Sequence, residues 1–424
     1  MKESVYLMDT VIYHVDVNSA FLSWESCYRL CQDPQALDLR TIPAIVGGNQ
    51  ETRHGIVLAK STPAKKFGIQ TGEPIVDAKR KCPNLTVVLP SYSCYVDYSR
   101  QLIDLLKTYA PSVEQYSIDE AFCDMTGTRK LYGDPVIFAE TLKNMIRDRL
   151  GFTVNIGISS NKLLAKMASD FRKPDLVHTL FPEEVPTKMW PLFIDELFFV
   201  GQSTAKKLHE LGISTIGDLA HMDLDVLTHL FKKHGEMIWN YANGKDMEIV
   251  TDHHHTANKS YGNSLTLHAD VTDAETARLF LLSLSETVGA RIRADKSYVG
   301  VVGVSIVDQN FVRQSKQQTL FSDTNVTEEI YQTACTLFSE IWTGVPIRQL
   351  GVFTGKASRD ASYQFNLFDQ DKYEKLSKLN TAVDSIRSKF GEDAIKRASF
   401  VNNDTADHMT GGLNRSRRNH KSDI

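Results

Sequence analysis

The sequence lacks several features that mark other classes of protein. No apolar run approaches the length of a membrane span, and the N-terminus has neither the positively charged start nor the apolar core of a signal peptide. The six cysteines show no C-x-x-C spacing, which argues against a zinc site and favours reduced, buried thiols over disulfides. No internal repeat is present. These absences predict a globular protein of the cytoplasm.

The sequence also lacks an excess of basic over acidic residues. The 424 residues carry a net charge of −4, whereas nucleic-acid-binding proteins usually show an excess of Lys and Arg. The charge is unevenly distributed, because residues 53–81 hold seven Lys or Arg against two acidic residues. Residues 250–360, by contrast, hold ten against twelve. The length predicts about two to four domains, so a local basic surface is compatible with the acidic total.

Two adjacent carboxylates interrupt a pattern of short strands. In VEQYSIDEAFCDMTG, the alternation predicts strands over Val113–Ser117 and Ala121–Met125, with Asp119 and Glu120 at the turn between them. Neighbouring residues of a strand point to opposite faces, so both acids reach one site only where the chain bends. Acids at turns are usually just solvated, and the pair alone identifies no site.

A third carboxylate changes this interpretation. The β-branched, apolar run VIYHVDV is interrupted by one acid, Asp16, and a helical segment follows at once. Burial of an unpaired carboxylate costs several kcal/mol, so Asp16 needs a partner. Divalent metal ions meet this need, because oxygen ligands hold Mg²⁺ and two such ions clamp the attacking and leaving oxygens of phosphoryl transfer. Three converging acids therefore indicate metal-dependent phosphoryl transfer.

Three segments resemble a known family. HVDVNSAFLSWE, YSIDEAFCDMTG and GISSNKLLAKMASDFRKPD are similar, in order and spacing, to the core motifs of the Y-family DNA polymerases, the translesion class. The resemblance is to the UmuC and DinB branches and covers about residues 10–370. It implies that Asp16, Asp119 and Glu120 are catalytic acids and metal ligands. The backbone carbonyl of Val17 is a further expected ligand of two Mg²⁺ ions.

The resemblance also implies a fold. The expected class is α+β, a multi-domain right-hand polymerase with a palm, small fingers, a helical thumb and a βαββαβ little finger. Palm, thumb, little finger and tail occupy the whole chain, so no proofreading nuclease is expected. The predicted parts are the palm (1–18 and 82–180), the fingers (19–81), the thumb (181–247), the DNA-binding little finger (255–357) and a flexible tail (358–424).

A nucleotide pocket is expected where the first predicted strand meets its helix. By the resemblance, Phe21 is a steric gate whose ring occupies the space of a ribose 2′-hydroxyl. Asn18 and Ser19 are good N-cap residues, so free N–H groups at Ser19, Ala20 and Phe21 are expected to face a triphosphate. Pocket residues also expected are Thr62, Lys65 and Lys173, the lysines supplying cations to the phosphates.

Two of these positions depart from the DinB pattern. Thr62 stands where DinB-like members have Tyr, and Lys65 stands where they have Arg. Lysine lacks the bidentate fork of arginine, which changes phosphate recognition. The departures place the chain closer to the bacterial UmuC-like branch.

DNA contacts are expected outside the palm. ELFFVGQSTAKKLHELGISTIGDL predicts a short helix, a turn at Val200 and Gly201 and a second helix, which resembles a helix-hairpin-helix that offers N–H groups to a phosphate. The family often has glycine where this chain has Phe199. Arg313 and Lys316 are expected to face the DNA backbone from a little-finger strand, and a purely structural role stays open for each.

The C-terminal region contains a candidate docking peptide. QFNLF, which holds Gln364, Phe365, Leu367 and Phe368, resembles the pentapeptide that bacterial polymerases place in the sliding clamp. Apolar clusters in polar segments usually mark docking sites. One helix is predicted over 372–397, a disordered basic tail follows, and DHHHT at 252–256 is predicted to be a linker rather than a metal site.

The predicted function follows from these parts. We expect a monomeric DNA-directed DNA polymerase that adds dNTPs to a primer end opposite damaged template, with two Mg²⁺ ions and no proofreading. Its partners are primer-template DNA, dNTP and the sliding clamp, and no membrane. Two alternatives stay open, a palm-type nucleotidyl cyclase and a catalytically inactive DNA-repair accessory protein.

Overall fold

The computed structural model describes residues 10–48, 55–252, 258–360, 370–401 and 406–408. This part of the chain contains twelve strands and fourteen α-helices. The strands are β1 Ile12–Val17, β2 Ala44–Gly47, β3 Val57–Lys60, β4 Thr86–Val88, β5 Ser112–Gln115, β6 Glu120–Asp124, β7 Val154–Ser159, β8 Val177–Thr179, β9 Gly262–Val271, β10 Tyr298–Asp308, β11 Arg313–Thr324 and β12 Ile347–Ser358.

The helices alternate with these strands. They are α1 Ala20–Gln32, α2 Thr62–Lys65, α3 Ile75–Lys81, α4 Tyr92–Tyr109, α5 Arg129–Tyr132, α6 Pro135–Leu150, α7 Lys162–Asp170, α8 Gln202–Glu210, α9 Ile216–Ala220, α10 Leu224–Phe231, α11 Lys233–Ala242, α12 Ala274–Ala294, α13 Thr327–Ile341 and α14 Gln370–Phe390. The chain divides into two compact units, of which the first holds residues 1–47, 57–73 and 77–254 and the second holds 48–56, 74–76 and 255–424.

A five-stranded sheet organises the first unit. Its order is β5-β6-β1-β7-β8, so β1 lies at the centre, antiparallel to both neighbours. Alternate residues of β1, Tyr13, Val15 and Val17, are buried against α1, α4 and α6. The other alternate residues, Ile12, His14 and Asp16, therefore point to the opposite face, because side chains of a strand alternate.

Helix α7 covers that opposite face. Gly157 on β7 permits the contact, because a Cβ atom there would lie 1.9 Å from the Ala165 carbonyl oxygen and 2.4 Å from the Ser169 nitrogen. Only a residue without a side chain allows a helix to approach a strand so closely. Gly157 thereby brings the inner face of α7 onto the central strands.

A smaller sheet corrects one predicted boundary. Its order is β3-β2-β4, and β2 pairs with β4 in parallel. The prediction ended the fingers at residue 81, but β4 follows that point and belongs to this sheet. The boundary was wrong because β4 is only three residues long and gives no alternation signal of its own.

The predicted thumb region is helical. Buried residues of α8 to α11 form one core with residues of α7. The predicted short helix before Val200 is a single 3₁₀ turn, Ile194–Glu196, and α8 follows. Gly212 lies just after the last helical turn with φ of +79°, the left-handed conformation that favours glycine at a helix end.

The second unit has the predicted strand and helix order. Strands and helices follow as β9, α12, β10, β11, α13 and β12, which is βαββαβ. The sheet order is β11-β10-β12-β9, and α12 and α13 pack on one face through a shared apolar core. The expected little-finger topology is therefore confirmed.

The expectation of a flexible tail was wrong for residues 370–401 and 406–408. Helix α14 ends at Phe390 instead of continuing to 397, and Gly391 follows with φ of +96°. Phe400 and Ala406 are buried in the core of the second unit. Polar side chains attach the segment as well, since Arg293 donates to Asp384 at 2.6 Å. The segment is part of the fold.

The thiols and the helices bear on two smaller predictions. All six cysteines are free thiols, as predicted, although Cys31 is exposed while Cys27, four residues earlier, is buried. No helix among the described residues is long and apolar enough to cross a membrane.

Candidate active site

Asp16 and Glu120 lie directly opposite each other on paired strands. Asp16 is a partly buried residue near the end of β1, and its Cα partner on β6 is Glu120. Paired residues of antiparallel strands share a face, so both carboxylates lie on the side of the sheet that α7 covers. Glu120 is the first residue of β6 and not a turn residue as predicted. The turn ends at Asp119, whose carbonyl accepts from the Val17 nitrogen at 3.1 Å.

Asp16 is paired with a lysine from beyond the end of α7. The Lys173 ammonium forms an ion pair with Asp16 and a second one with Asp170 at 2.7 Å. Burial raises the pKa of Asp16 to about 6, although the positive charge of Lys173 opposes the rise. The carboxylate thus lies in a poorly hydrated position where a cation is strongly favoured.

Glu120 has two partners from the same face. Its Oε2 accepts from Lys166 and lies 3.2 Å from the Nε2 of His14. Burial acts to raise the pKa of Glu120, but the hydrogen bonds from His14 and Lys166 outweigh it and lower the pKa to about 2. Glu120 is therefore ionised at neutral pH.

Asp119 completes the predicted acidic set on the adjoining turn. Its Oδ1 accepts from the Ser117 hydroxyl at 2.6 Å. Within the described residues, no group of three His, Cys, Asp or Glu side chains is arranged to hold a metal ion. The backbone brings the three acids to one edge of the sheet, while Asp16 and Glu120 are turned toward lysines.

Sequence reasoning predicted Lys173 in this site but missed two further lysines, Lys162 and Lys166. Helix α7 and the residues after it place one lysine against each of three acids on three strands: Lys162 on Glu114, Lys166 on Glu120 and Lys173 on Asp16. The spacing of four between Lys162 and Lys166 marks one helix face. His14 was also missed, although its spacing of two from Asp16 places it on the same strand face.

The helix start beside Asp16 differs from the predicted cap. Ser19 precedes α1 with φ of +50°, and its side chain makes no capping hydrogen bond. The Asn18 side chain instead donates to the Thr153 hydroxyl at 3.2 Å. No side-chain acceptor therefore covers the first N–H groups of α1 within the described residues, and they remain suited to an anion.

Phe21 lies on the first turn of α1 in a cluster of rings. It stacks on Tyr95 with a centroid distance of 4.9 Å and meets Tyr92 edge-on at 6.1 Å. The Tyr95 hydroxyl donates to buried Glu25 at 2.7 Å, which fixes that ring. The Phe21 ring, which is the predicted steric gate, is therefore half-buried against the fixed ring of Tyr95. Thr62 and Lys65, by contrast, are exposed on the single-turn helix α2.

The predicted thumb contact has fewer free backbone N–H groups than expected. The Val200 N–H donates to the Leu197 carbonyl at 2.9 Å, so it is used within the turn. Gly201 is the N-cap of α8 and is exposed. Phe199, where the family often has glycine, has φ of +68° and is half-exposed. The backbone keeps a glycine-like conformation despite the ring.

The two cations expected to face DNA lie on opposite faces of β11. Lys316 pairs with Val304, which is buried under the helices, and its ammonium binds Glu340 of α13 at 2.5 Å. Arg313 pairs with Val307 on the face that the helices leave uncovered. Since residues three apart on a strand point in opposite directions, only one of them can serve a given DNA surface. The clamp-like peptide 364–368 lies outside the described residues.

Three family descriptions match the chain. The impB/mucB/samB family matches residues 15–170, its C-terminal domain matches 258–367, and the thumb domain of DNA polymerase iota matches 196–246. A solved Y-family DNA polymerase chimera, Dbh-Dpo4(243-245)-Dbh, has the same fold with a TM-score of 0.70 at 24% identity, over 84% of this chain and 100% of the chimera. DNA polymerase IV of Clostridium acetobutylicum is 43% identical over 394 residues, 93% of this chain and 99% of that relative.

The chain belongs to the Y family of DNA polymerases. Two further relatives agree, DNA polymerase IV of Acetivibrio thermocellus and DNA polymerase IV 2 of Bacillus subtilis, each 36% identical over 93% of this chain, and over 98% and 95% of their own lengths. The predicted family and fold class are confirmed. The closer placement in the UmuC-like branch is not confirmed, and the individual site residues stay predictions. Y-family membership implies a need for divalent metal, primer-template DNA and dNTP.

Proposed function

We propose that this Y-family polymerase performs translesion synthesis: a primer 3′-hydroxyl attacks the α-phosphate of a dNTP opposite damaged template, without proofreading. The observation that carries the proposal is the pairing of Asp16 with Glu120 on neighbouring strands, next to the Asp119 turn. Asp16 lies just before α1 in the chain, so its carboxylate is close in sequence to the free N–H groups at the start of the helix. Glu120 reaches the same end of the strands because β6 pairs with β1. This arrangement supports a site in which metal-binding carboxylates act beside an anion-binding helix start.

The donor set fits Mg²⁺. Asp16, Asp119 and the Val17 carbonyl offer the hard oxygen ligands that this ion prefers, and Glu120 is a further carboxylate. Asp16 is a poorly hydrated carboxylate that already attracts the Lys173 cation, which is the electrostatic environment that a divalent ion requires. When bound, two Mg²⁺ ions would stabilise the charge that develops on the attacking and leaving oxygens.

The remaining residues bind and orient the nucleotide. The N–H groups of Ala20 and Phe21 face the phosphates, and Lys173 supplies a positive charge near them. The Phe21 ring, held by Tyr95, fills the space beside C2′ of the sugar. Thr62 and Lys65 approach the triphosphate from the exposed helix α2, where the lysine acts as a point charge.

Primer extension decides between the proposed function and its alternatives. With Mg²⁺, dNTPs and primer-template, we expect extension on undamaged and lesion-bearing templates and none after chelation of the metal. A nucleotidyl cyclase would instead convert a purine nucleoside triphosphate to a cyclic product without DNA. An inactive accessory protein would bind primer-template and extend nothing.

Clamp binding is a further part of the proposal. We expect the double variant Leu367→Ala, Phe368→Ala to lose binding to the bacterial sliding clamp and clamp-stimulated synthesis, because the apolar anchors of the peptide are removed. Distributive extension should stay unchanged, since the loss is one of tethering and effective concentration. Titration of both proteins with clamp, followed by extension with and without clamp, measures this.

A matched control tests whether clamp binding depends on the peptide's own side chains or is lost whenever exposed apolar side chains are removed. Leu379 and Phe390 are exposed apolar residues on α14 outside the peptide. The double variant Leu379→Ala, Phe390→Ala should bind clamp as the unchanged protein does. Equal clamp binding by the peptide variant would contradict the assignment of QFNLF.

A further inference from the structure

His14 is a fully buried histidine with a partner at each ring nitrogen. Its Nδ1 lies 2.8 Å from the Ser169 hydroxyl of α7, and its Nε2 lies 3.2 Å from Glu120 Oε2. Its ring also contacts Phe122 with a centroid distance of 4.7 Å. A buried imidazole with two specific polar partners and a packed face has one orientation. That orientation is fixed by the strand, by α7 and by the proposed catalytic acid.

Lys166 approaches the same carboxylate from the helix. It is buried, forms an ion pair with Glu120 Oε2, and lies over the rings of Tyr116 and Phe198 at 5.2 and 5.1 Å. Lys173, in contrast, lies in a more exposed position on Asp16. The aromatic contacts hold the Lys166 stem and ammonium in place, so this lysine is suited to remain on Glu120 when a nucleotide enters.

Both donors act on one oxygen of Glu120. His14 and Lys166 contact Oε2, and no described residue is assigned a hydrogen bond to Oε1. A carboxylate held at one oxygen presents its other oxygen in a fixed direction. Glu120 would therefore meet an incoming cation without first losing side-chain freedom, as partners of metal-binding carboxylates do elsewhere.

We propose that His14, oriented by Ser169, and Lys166 form a cradle that positions Glu120 for metal binding. The imidazole is the positioning residue: its Nε2–H donates to Glu120, and its Nδ1 lies 2.8 Å from the Ser169 hydroxyl. That hydroxyl also lies 2.8 Å from the Lys166 carbonyl, which joins the two arms of the cradle. The role rests on the proposed function, in which Glu120 is a catalytic carboxylate.

The test compares four variants with the unchanged protein. His14→Phe keeps a ring of similar volume and removes the donor, whereas His14→Gln restores a donor close to the Nε2 position. Ser169→Ala is a small change that removes only the orienting hydroxyl. His229→Gln, at an exposed histidine on α10, is the matched control.

Two readouts separate positioning from folding. For His14→Phe we expect kcat for dNTP addition to fall about 10- to 100-fold, with KM for dNTP and affinity for primer-template little changed, as for other partners of metal ligands. Binding of Mn²⁺ to the free protein, followed by electron paramagnetic resonance, should weaken in parallel. His14→Gln should recover most of both losses, Ser169→Ala should lose about threefold in kcat, and His229→Gln should lose nothing.

Several outcomes would overturn the cradle. These are unchanged kcat and Mn²⁺ affinity in both His14→Phe and Ser169→Ala, no recovery in His14→Gln, or a loss of DNA affinity as large as the loss of kcat. Absence of Mn²⁺ binding by the unchanged protein would overturn it as well. If the unchanged protein binds Mn²⁺ but extends no primer, the proposed function fails while the Mn²⁺ comparison still decides the cradle.

Discussion

Primer extension by Asp119→Ala should fall by about 1000-fold or more, while the protein still binds primer-template. The variant removes a proposed metal ligand, and loss of several kcal/mol of transition-state stabilisation corresponds to this factor. Asp119 lies on a partly buried turn where its side chain contacts only Ser117 among the bonds assigned to it, so the fold should be retained. Single-turnover extension in Mg²⁺ and a DNA-binding titration measure the two quantities.

A surface acid provides the control for this prediction. Asp97 on α4 is exposed and pairs with Arg100 at 2.5 Å, so Asp97→Ala should extend normally. Near-normal extension by Asp119→Ala would remove Asp119 from the active site. Equal loss of extension and DNA binding would instead indicate a damaged fold or DNA surface.

The second large effect concerns the choice of sugar. Phe21→Ala should raise the ratio of kcat/KM for ribonucleotides over deoxynucleotides by about 100-fold, because the discrimination rests on a clash that a methyl group does not make. Tyr95 is held behind Phe21 by Glu25, so it should not move forward to fill the space. The ratio, measured with matched rNTP and dNTP on one template, is the relevant quantity.

A graded series strengthens this test. Phe21→Leu removes less volume and should raise the ratio by a smaller factor than Phe21→Ala. Phe390→Ala, at an exposed ring on α14, should leave the ratio unchanged. An unchanged ratio in both Phe21 variants would show that another residue excludes the 2′-hydroxyl.

Local patterns predicted most elements of the fold. The alternating run that contains Asp16 is strand β1, and the little-finger order was visible from two amphipathic helices among four strands. The sequence also predicts that Arg313 and Lys316 lie on opposite faces of their strand, because they are three residues apart and side chains alternate along a strand.

The partners of the acids were not predictable in this way. Asp16 and Glu120 are neighbours only because β1 pairs with β6, and Lys166 reaches Glu120 only because α7 crosses these strands. Such contacts join residues far apart in the chain, which local periodicity does not report. The C-terminal helix was misjudged for a related reason: its polar residues Asn380 and Arg387 have the composition of a solvated surface but are buried.

The close approach at Gly157 has a consequence for the genetics of this enzyme. Any side chain at this position would push α7 away from β7, and Lys166 and Ser169 would move with the helix. A screen for inactive alleles would therefore recover changes at residue 157, although it carries no reactive group. Such alleles would be inactive because the distance between the helix and the sheet has changed. Counting every position that tolerates no substitution would therefore overstate the number of residues that take part in the chemistry.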